Sequence, residues 1–172
     1  MKNKIISDII LFFCFLLVQV LLSNFINFGP LVFISIYPLY ILTRSRNINP
    51  AMMLFLAFAM GLATDYFTGS ILGLNAAAAT LLAFIQPALL RLVTKKKELE
   101  GPVRPGLNEL GLRRFFILVL LGLTVHHIAL VELENFSMVL NIYSVIRIAL
   151  SLVINTILIM LTEFGVFYKN WR

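Results

Sequence analysis

Apolar residues gather along the chain into six runs, 5–22, 30–43, 51–64, 71–92, 115–131 and 138–167. Between them lie short stretches rich in charge, glycine or proline. A helix that crosses a hydrocarbon core about 30 Å thick needs about 20 mostly apolar residues. Runs 30–43 and 51–64 are short for this, since fourteen helical residues reach only about 21 Å. They need flanking residues, tilt, or protein cover at their ends. The pattern predicts an all-α polytopic membrane protein with six transmembrane helices in one domain, residues 1–172. Lys2 and Lys4 precede the first run, which is longer than a signal-peptide core and is closed by no small-x-small cleavage site, so it is expected to stay as the first helix.

Composition agrees. The chain is 60% hydrophobic and 13% charged, with 15 phenylalanines, and its mean hydropathy is +0.97. That is about half the charged fraction of a soluble domain, too little polar surface to cover such a core in water. Cys14 is the single cysteine and lies inside the first run, so it offers neither an intrachain disulfide nor a metal set.

Charge sets the expected topology. With six crossings and a cytoplasmic N-terminus, every lysine falls inside and no loop arginine falls outside. Merging runs 51–64 and 71–92 would move Lys95, Lys96 and Lys97 out while Arg44 stays in, so the positive-inside rule favours two crossings there. Both termini and the polar loop 94–114 are then cytoplasmic. The net charge of +6 reads as cytoplasmic flanks facing anionic lipid head groups. It gives no basic surface on a soluble fold, so no nucleic-acid partner is expected.

One stretch breaks the apolar pattern, "GLATDYFTGSILGLN" at 61–75. Gly61, Asp65, Gly69 and Gly73 recur every four residues, which on a continuous helix places them along one face. Gly69 and Gly73 form a small-x-x-x-small pair that lets backbones approach closely, and Ala76, Ala77, Ala78 and Ala79 extend the small surface. Two roles fit Asp65. It can cap the turn and the helix expected to begin near 68–71, or serve as an ion, proton or partner site.

The stretch "FLAFAMGLATDYFTGSILGLNAAAATLLAFIQPALL" closely resembles the central region of the bacterial rod shape-determining MreD family, whose pattern is Gly-Leu-x-x-Asp-x-x-x-Gly-x-x-Leu-Gly followed by small residues and an aromatic. The matching residues are Gly61, Leu62, Asp65, Gly69, Leu72, Gly73, Ala76 and Phe84. The likeness is detailed over about 35 residues and otherwise rests on length, span count and the basic loop. Arg91 fits loosely the arginine that the family carries after its fourth span, and "IQP" at 85–87 is this chain's own. The resemblance implies a non-enzymatic scaffold of the cell-elongation, peptidoglycan-synthesising machinery in the bacterial inner membrane. It implies an MreC-type bitopic partner and, through it, MreB and the glycan polymerase and transpeptidase pair. It also implies a fold similar to the substrate-binding subunit of energy-coupling vitamin transporters, so the alternative is a small-molecule-binding transporter subunit.

The remaining polar residues suggest no reaction. Adjacent His126 and His127 point about 100° apart on a helix and have no third ligand one turn on. No metal, cofactor or catalytic set is expected. Arg147 lies in the last run and needs a carboxylate (Asp65, Glu132 or Glu134), a path to the head groups, or a bound group. Gln19, Asn75, Gln86 and Asn155 lie inside runs, where lipid offers no partner, so they are expected to face other helices. Asp8 and Glu163 lie near run ends, within reach of water.

Overall fold

The structure, a computed structural model, describes residues 2–26, 29, 31–45, 48–94, 103–135 and 141–168. Among them there are helices and no strand: α1 (Lys2–Phe25), α2 (Tyr37–Leu42), α3 (Pro50–Thr68), α4 (Leu74–Val93), α5 (Leu107–Asn135) and α6 (Ile142–Thr162), the last ending in a π-helical turn, Glu163–Phe167. Five of these, α1, α3, α4, α5 and α6, are long and apolar enough to cross a membrane. Lysines 95–97 and the first residues of the expected last run, 138–140, lie outside the described residues.

Run 30–43 departs from its expectation. It is not one helix. Residues 32–36 are non-helical, and only Tyr37–Leu42 is helical, every residue of it buried. Pro38 supplies the reason. It sits in the first turn of α2, where its missing N–H is harmless, but it bars helix upstream because it cannot donate to Ile34 and its ring would meet that carbonyl. The β-branched Val32, Ile34 and Ile36 add to the preference for an open backbone.

Open backbone in lipid needs partners from elsewhere. The carboxamide of Gln19 on α1 accepts from Ile36 N at 2.7 Å and donates to Ile34 O at 2.8 Å. The carboxamide of Asn155 on α6 accepts from Ser35 N at 2.8 Å and donates to Phe33 O at 2.6 Å. Even-numbered residues turn to one helix and odd-numbered residues to the other, as a strand alternates between its two neighbours. Ser151 Oγ takes Phe33 N at 2.9 Å. At the far end Gln86 on α4 donates to Arg44 O at 3.1 Å.

The short helix α2 forms the centre, packed by α1, α3, α4 and α5. Its Leu42 lies so close to Gly122 of α5 that a Cβ there would come within 2.7 Å of the Leu42 methyls. Tyr37, Tyr40, Leu82, Phe115 and Leu123 complete a closed apolar interior. At the other end of the bundle from Asp65, the loop 94–114 is shorter than its composition suggested. Pro105, Gly106 and Leu107 are buried, and α5 begins at Leu107 with a bend at Gly111, φ 72°. Glu163 holds this corner. It is 1% exposed rather than open to water, pairs with both terminal nitrogens of Arg104 at 2.6 and 2.5 Å, and accepts Leu107 N at 2.9 Å. Asp8 meets Arg44 at 2.9 Å.

Replacing Gln19 by Leu should leave Ile34 O and Ile36 N unpaired. At about 1–3 kcal/mol for each buried orphan, the loss is about 2–6 kcal/mol, and Asn155→Leu should lose a similar amount. Unfolding in detergent micelles measures both, with Leu17→Ala, at an exposed position of α1, as a control expected to change little.

Candidate functional site

Asp65 stands in the last turn of α3, fully buried. The helix runs one turn past the expected end at Thr64 and stops at Gly69, φ 66°. The chain reverses through residues 69–73, and α4 starts at Leu74 after Gly73, φ 96°, a few residues later than 68–71. Asp65 caps that helix across the turn. Its Oδ2 accepts from Gly73 N at 3.0 Å and Ala76 N at 3.2 Å. Its Oδ1 accepts from Asn75 N at 3.0 Å, Asn75 Nδ2 at 2.8 Å and Ser70 Oγ at 2.7 Å. Three of these donors are first-turn backbone N–H groups, which no helix satisfies by itself and which favour a negative charge.

The four-residue spacing acquires a different meaning. Gly61 and Asp65 do share a buried face of α3. A side chain at Gly61 would strike Asn75 O and the backbone of Ala76, so this is the glycine that lets α3 and α4 touch. Gly69 and Gly73 are not on a packed helix face. A Cβ at either would meet nothing within 4 Å, and both adopt the left-handed φ that other residues avoid. They are needed for the turn and not for close helix approach, a correction to the small-x-x-x-small expectation.

Asp65 also orders a chain of polar groups reaching into the bundle. A carboxylate only accepts, so Asn75 must present Nδ2 to Asp65 and Oδ1 to the Tyr37 hydroxyl, 3.0 Å away. Tyr37 then donates to Asn75 and accepts from His126 Nε2 at 2.6 Å. This assigns His126 the Nε2–H tautomer, and its buried Nδ1 has no hydrogen-bond partner. His127 is tied separately, with Nδ1 donating to Leu123 O at 2.8 Å and Nε2 lying 2.9 Å from Asn155 Nδ2. Both histidines are buried and packed. Among the described residues no three His, Cys, Asp or Glu side chains come together in metal-binding fashion.

Arg147 is not joined to Asp65. Its guanidinium pairs with Glu134 near the end of α5 and lies 3.8 Å from the centroid of the Phe33 ring. Of the three carboxylates open to it by sequence, topology delivers the one at the other side of the α5–α6 connection. Of the candidate residues, Gly61, Asp65, Gly69, Gly73 and Asn75 meet in one corner, and Arg147 stands apart from them. Tyr37 and His126 belong to the same network and were not singled out together by the sequence. The signal that bore on them was Pro38, which places Tyr37 at a helix start inside the bundle. Compared with known proteins, the chain matches no family model, no curated protein and no solved structure.

Because both carboxylate oxygens face donors, Asp65→Asn must turn its amide toward an N–H, so Asn should destabilise by about 1.5–3 kcal/mol and Ala by at least as much. Combining either with Arg147→Ala should be additive within about 0.5 kcal/mol, read as unfolding in detergent.

Proposed function

We propose that this protein is a non-enzymatic membrane scaffold of the MreD type, crossing the inner membrane six times with both termini cytoplasmic. In this reading the crossings are α1, the composite 31–42, α3, α4, α5 and α6. It binds an MreC-type bitopic protein and through it serves MreB and the glycan polymerase and transpeptidase pair. The observation that supports this best is how the residues of the resembling motif divide. Three of its members are buried and hold the fold: Asp65 is saturated with donors, Gly61 admits α4 and Ala76 packs beneath it, while Gly69 and Gly73 make the turn. Its large apolar members face outward, Leu72 at 66% and Phe84 at 71% exposure. A motif arranged this way builds and presents a surface, and it leaves no acid, base or nucleophile free for chemistry.

A cavity favours the second reading, a small-molecule-binding subunit of a vitamin-type transporter. It has a volume of about 350 Å³ and lies beside the 69–71 turn, in the lower part of the size range of ligand pockets, about 300–1,000 Å³. Asp65 and Arg147, the groups that would grip a charged vitamin, are both engaged within the protein, so the scaffold reading leads.

Affinity purification of the tagged chain from native membranes separates the two. Recovery of a single-span MreC-type protein, reduced several-fold when Leu72 and Phe84 are both changed to Ala, is expected. Recovery of an ATPase-linked transporter module with no elongation protein would replace the scaffold by the transporter subunit.

A further inference from the structure

The same cavity carries a chemical preference of its own, independent of the scaffold reading. Its wall includes Ser23, Thr64, Thr68, Ser70, Asn75 and Glu134. Most of the side-chain polar hydrogens of this wall are already committed, those of the Ser23 and Ser35 hydroxyls excepted. Thr64 Oγ1 donates to Met60 O, Thr68 Oγ1 to Thr64 O, and Ser70 Oγ to Asp65 Oδ1. Asn75 Nδ2 donates to Asp65 and Ser70. Gln19 Nε2, also on the wall, donates to Ser23 Oγ and Ile34 O. A hydroxyl whose proton is engaged offers only lone pairs. Among the wall's side chains, lone pairs therefore outnumber free polar hydrogens.

Charge points the same way. Asp65 lies directly behind Ser70 and Asn75 and forms no ion pair among the described residues. Glu134 at the wall is balanced by Arg147. The local charge is negative by the one carboxylate of Asp65, in surroundings where screening is weak. An anion would meet no free cation on this wall and, among its side chains, only the Ser23 and Ser35 hydroxyls as free donors. A quaternary ammonium has no N–H to give and needs aromatic faces, yet the Phe33 ring beside the cavity is already covered by the Arg147 guanidinium. A cavity of about 350 Å³ holds roughly a dozen water volumes, more than a bare ion fills. Val32, Ile71 and Leu74 supply apolar wall for methylene groups.

The geometry points to a binding site for the primary ammonium group of a small amino alcohol, with the N–H groups received by the threonine and serine oxygens at the 64–70 corner. That group is carried either by an ethanolamine lipid head group or by a free amine. The test uses the purified full chain in two arms. In detergent it is titrated with ethanolamine, choline or ethylene glycol at matched ionic strength while its melting temperature is followed. In nanodiscs, phosphatidylethanolamine is compared with phosphatidylcholine. A saturable rise in melting temperature is expected with ethanolamine or in phosphatidylethanolamine discs, and none with choline, ethylene glycol or phosphatidylcholine. Thr68→Val, which exchanges a hydroxyl for a methyl, should weaken the response about tenfold, while Thr68→Ser retains it. Should Thr68→Val fail to fold, Ser23→Ala serves in its place. A response in the lipid arm alone identifies the head group as the source, and one in the free-amine arm identifies a soluble amine. No saturable response in either arm, an equal response to choline or ethylene glycol, or an unchanged response in the variants would overturn the site.

Discussion

A peptide group without a partner inside lipid is among the costliest defects a membrane protein can carry, and residues 33–36 would contain several. The rest of the structure is arranged around preventing this. Two carboxamides, Gln19 from α1 and Asn155 from α6, each pair with one edge of the open segment through one accepted and one donated hydrogen bond. The peripheral first and last helices are thereby joined to the centre by polar contacts, although most of their surface is exposed. Asn155 also meets His127, so the clamp extends onto α5. The clamp acts together with the burial of α2 among α1, α3, α4 and α5 and the close approach of its Leu42 to Gly122.

Asp65 solves the same problem at the next reversal. The turn 69–73 exposes the first N–H groups of α4, and a carboxylate delivered from α3 takes three of them. The two solutions are connected. Asn75, oriented by Asp65, receives the hydroxyl of Tyr37, the first residue of α2. One continuous set of hydrogen bonds thus runs from the α3–α4 turn through Asn75 and Tyr37 to His126 on α5. The acid in an apolar stretch is explained by backbone that needs it.

Much of this was legible in the sequence. Hydropathy located α1, α3, α4, α5 and α6, and the place of Asp65 between two runs made a cap one of its two open roles, the one its hydrogen bonds now fill. Run 30–43 was misread because hydropathy counts apolar side chains and is blind to a missing N–H. Pro38, together with alternating Val32, Ile34 and Ile36, was the local sign that this run opens. Gln19, Gln86 and Asn155 were seen to need partners, but sequence spacing does not show that their partners are backbone groups far away in the chain. Gly69 and Gly73 were assigned to packing because their spacing fits a helix face; a turn between them erases that face and leaves their positive φ as the reason for glycine. The partner of Arg147 was open among three carboxylates until the α5–α6 connection placed Glu134 opposite it.

The central claim is that side-chain amides replace secondary structure for a stretch of non-helical backbone inside the helix bundle. Amide hydrogen exchange on the protein in lipid nanodiscs tests this most directly. If Gln19 and Asn155 hold the segment, the amides of Phe33, Ser35 and Ile36 should exchange as slowly as those in the middle of α4, and Gln19→Leu should release Ile36. Exchange of these three amides at the rate of an open loop in the unmodified protein would contradict the account.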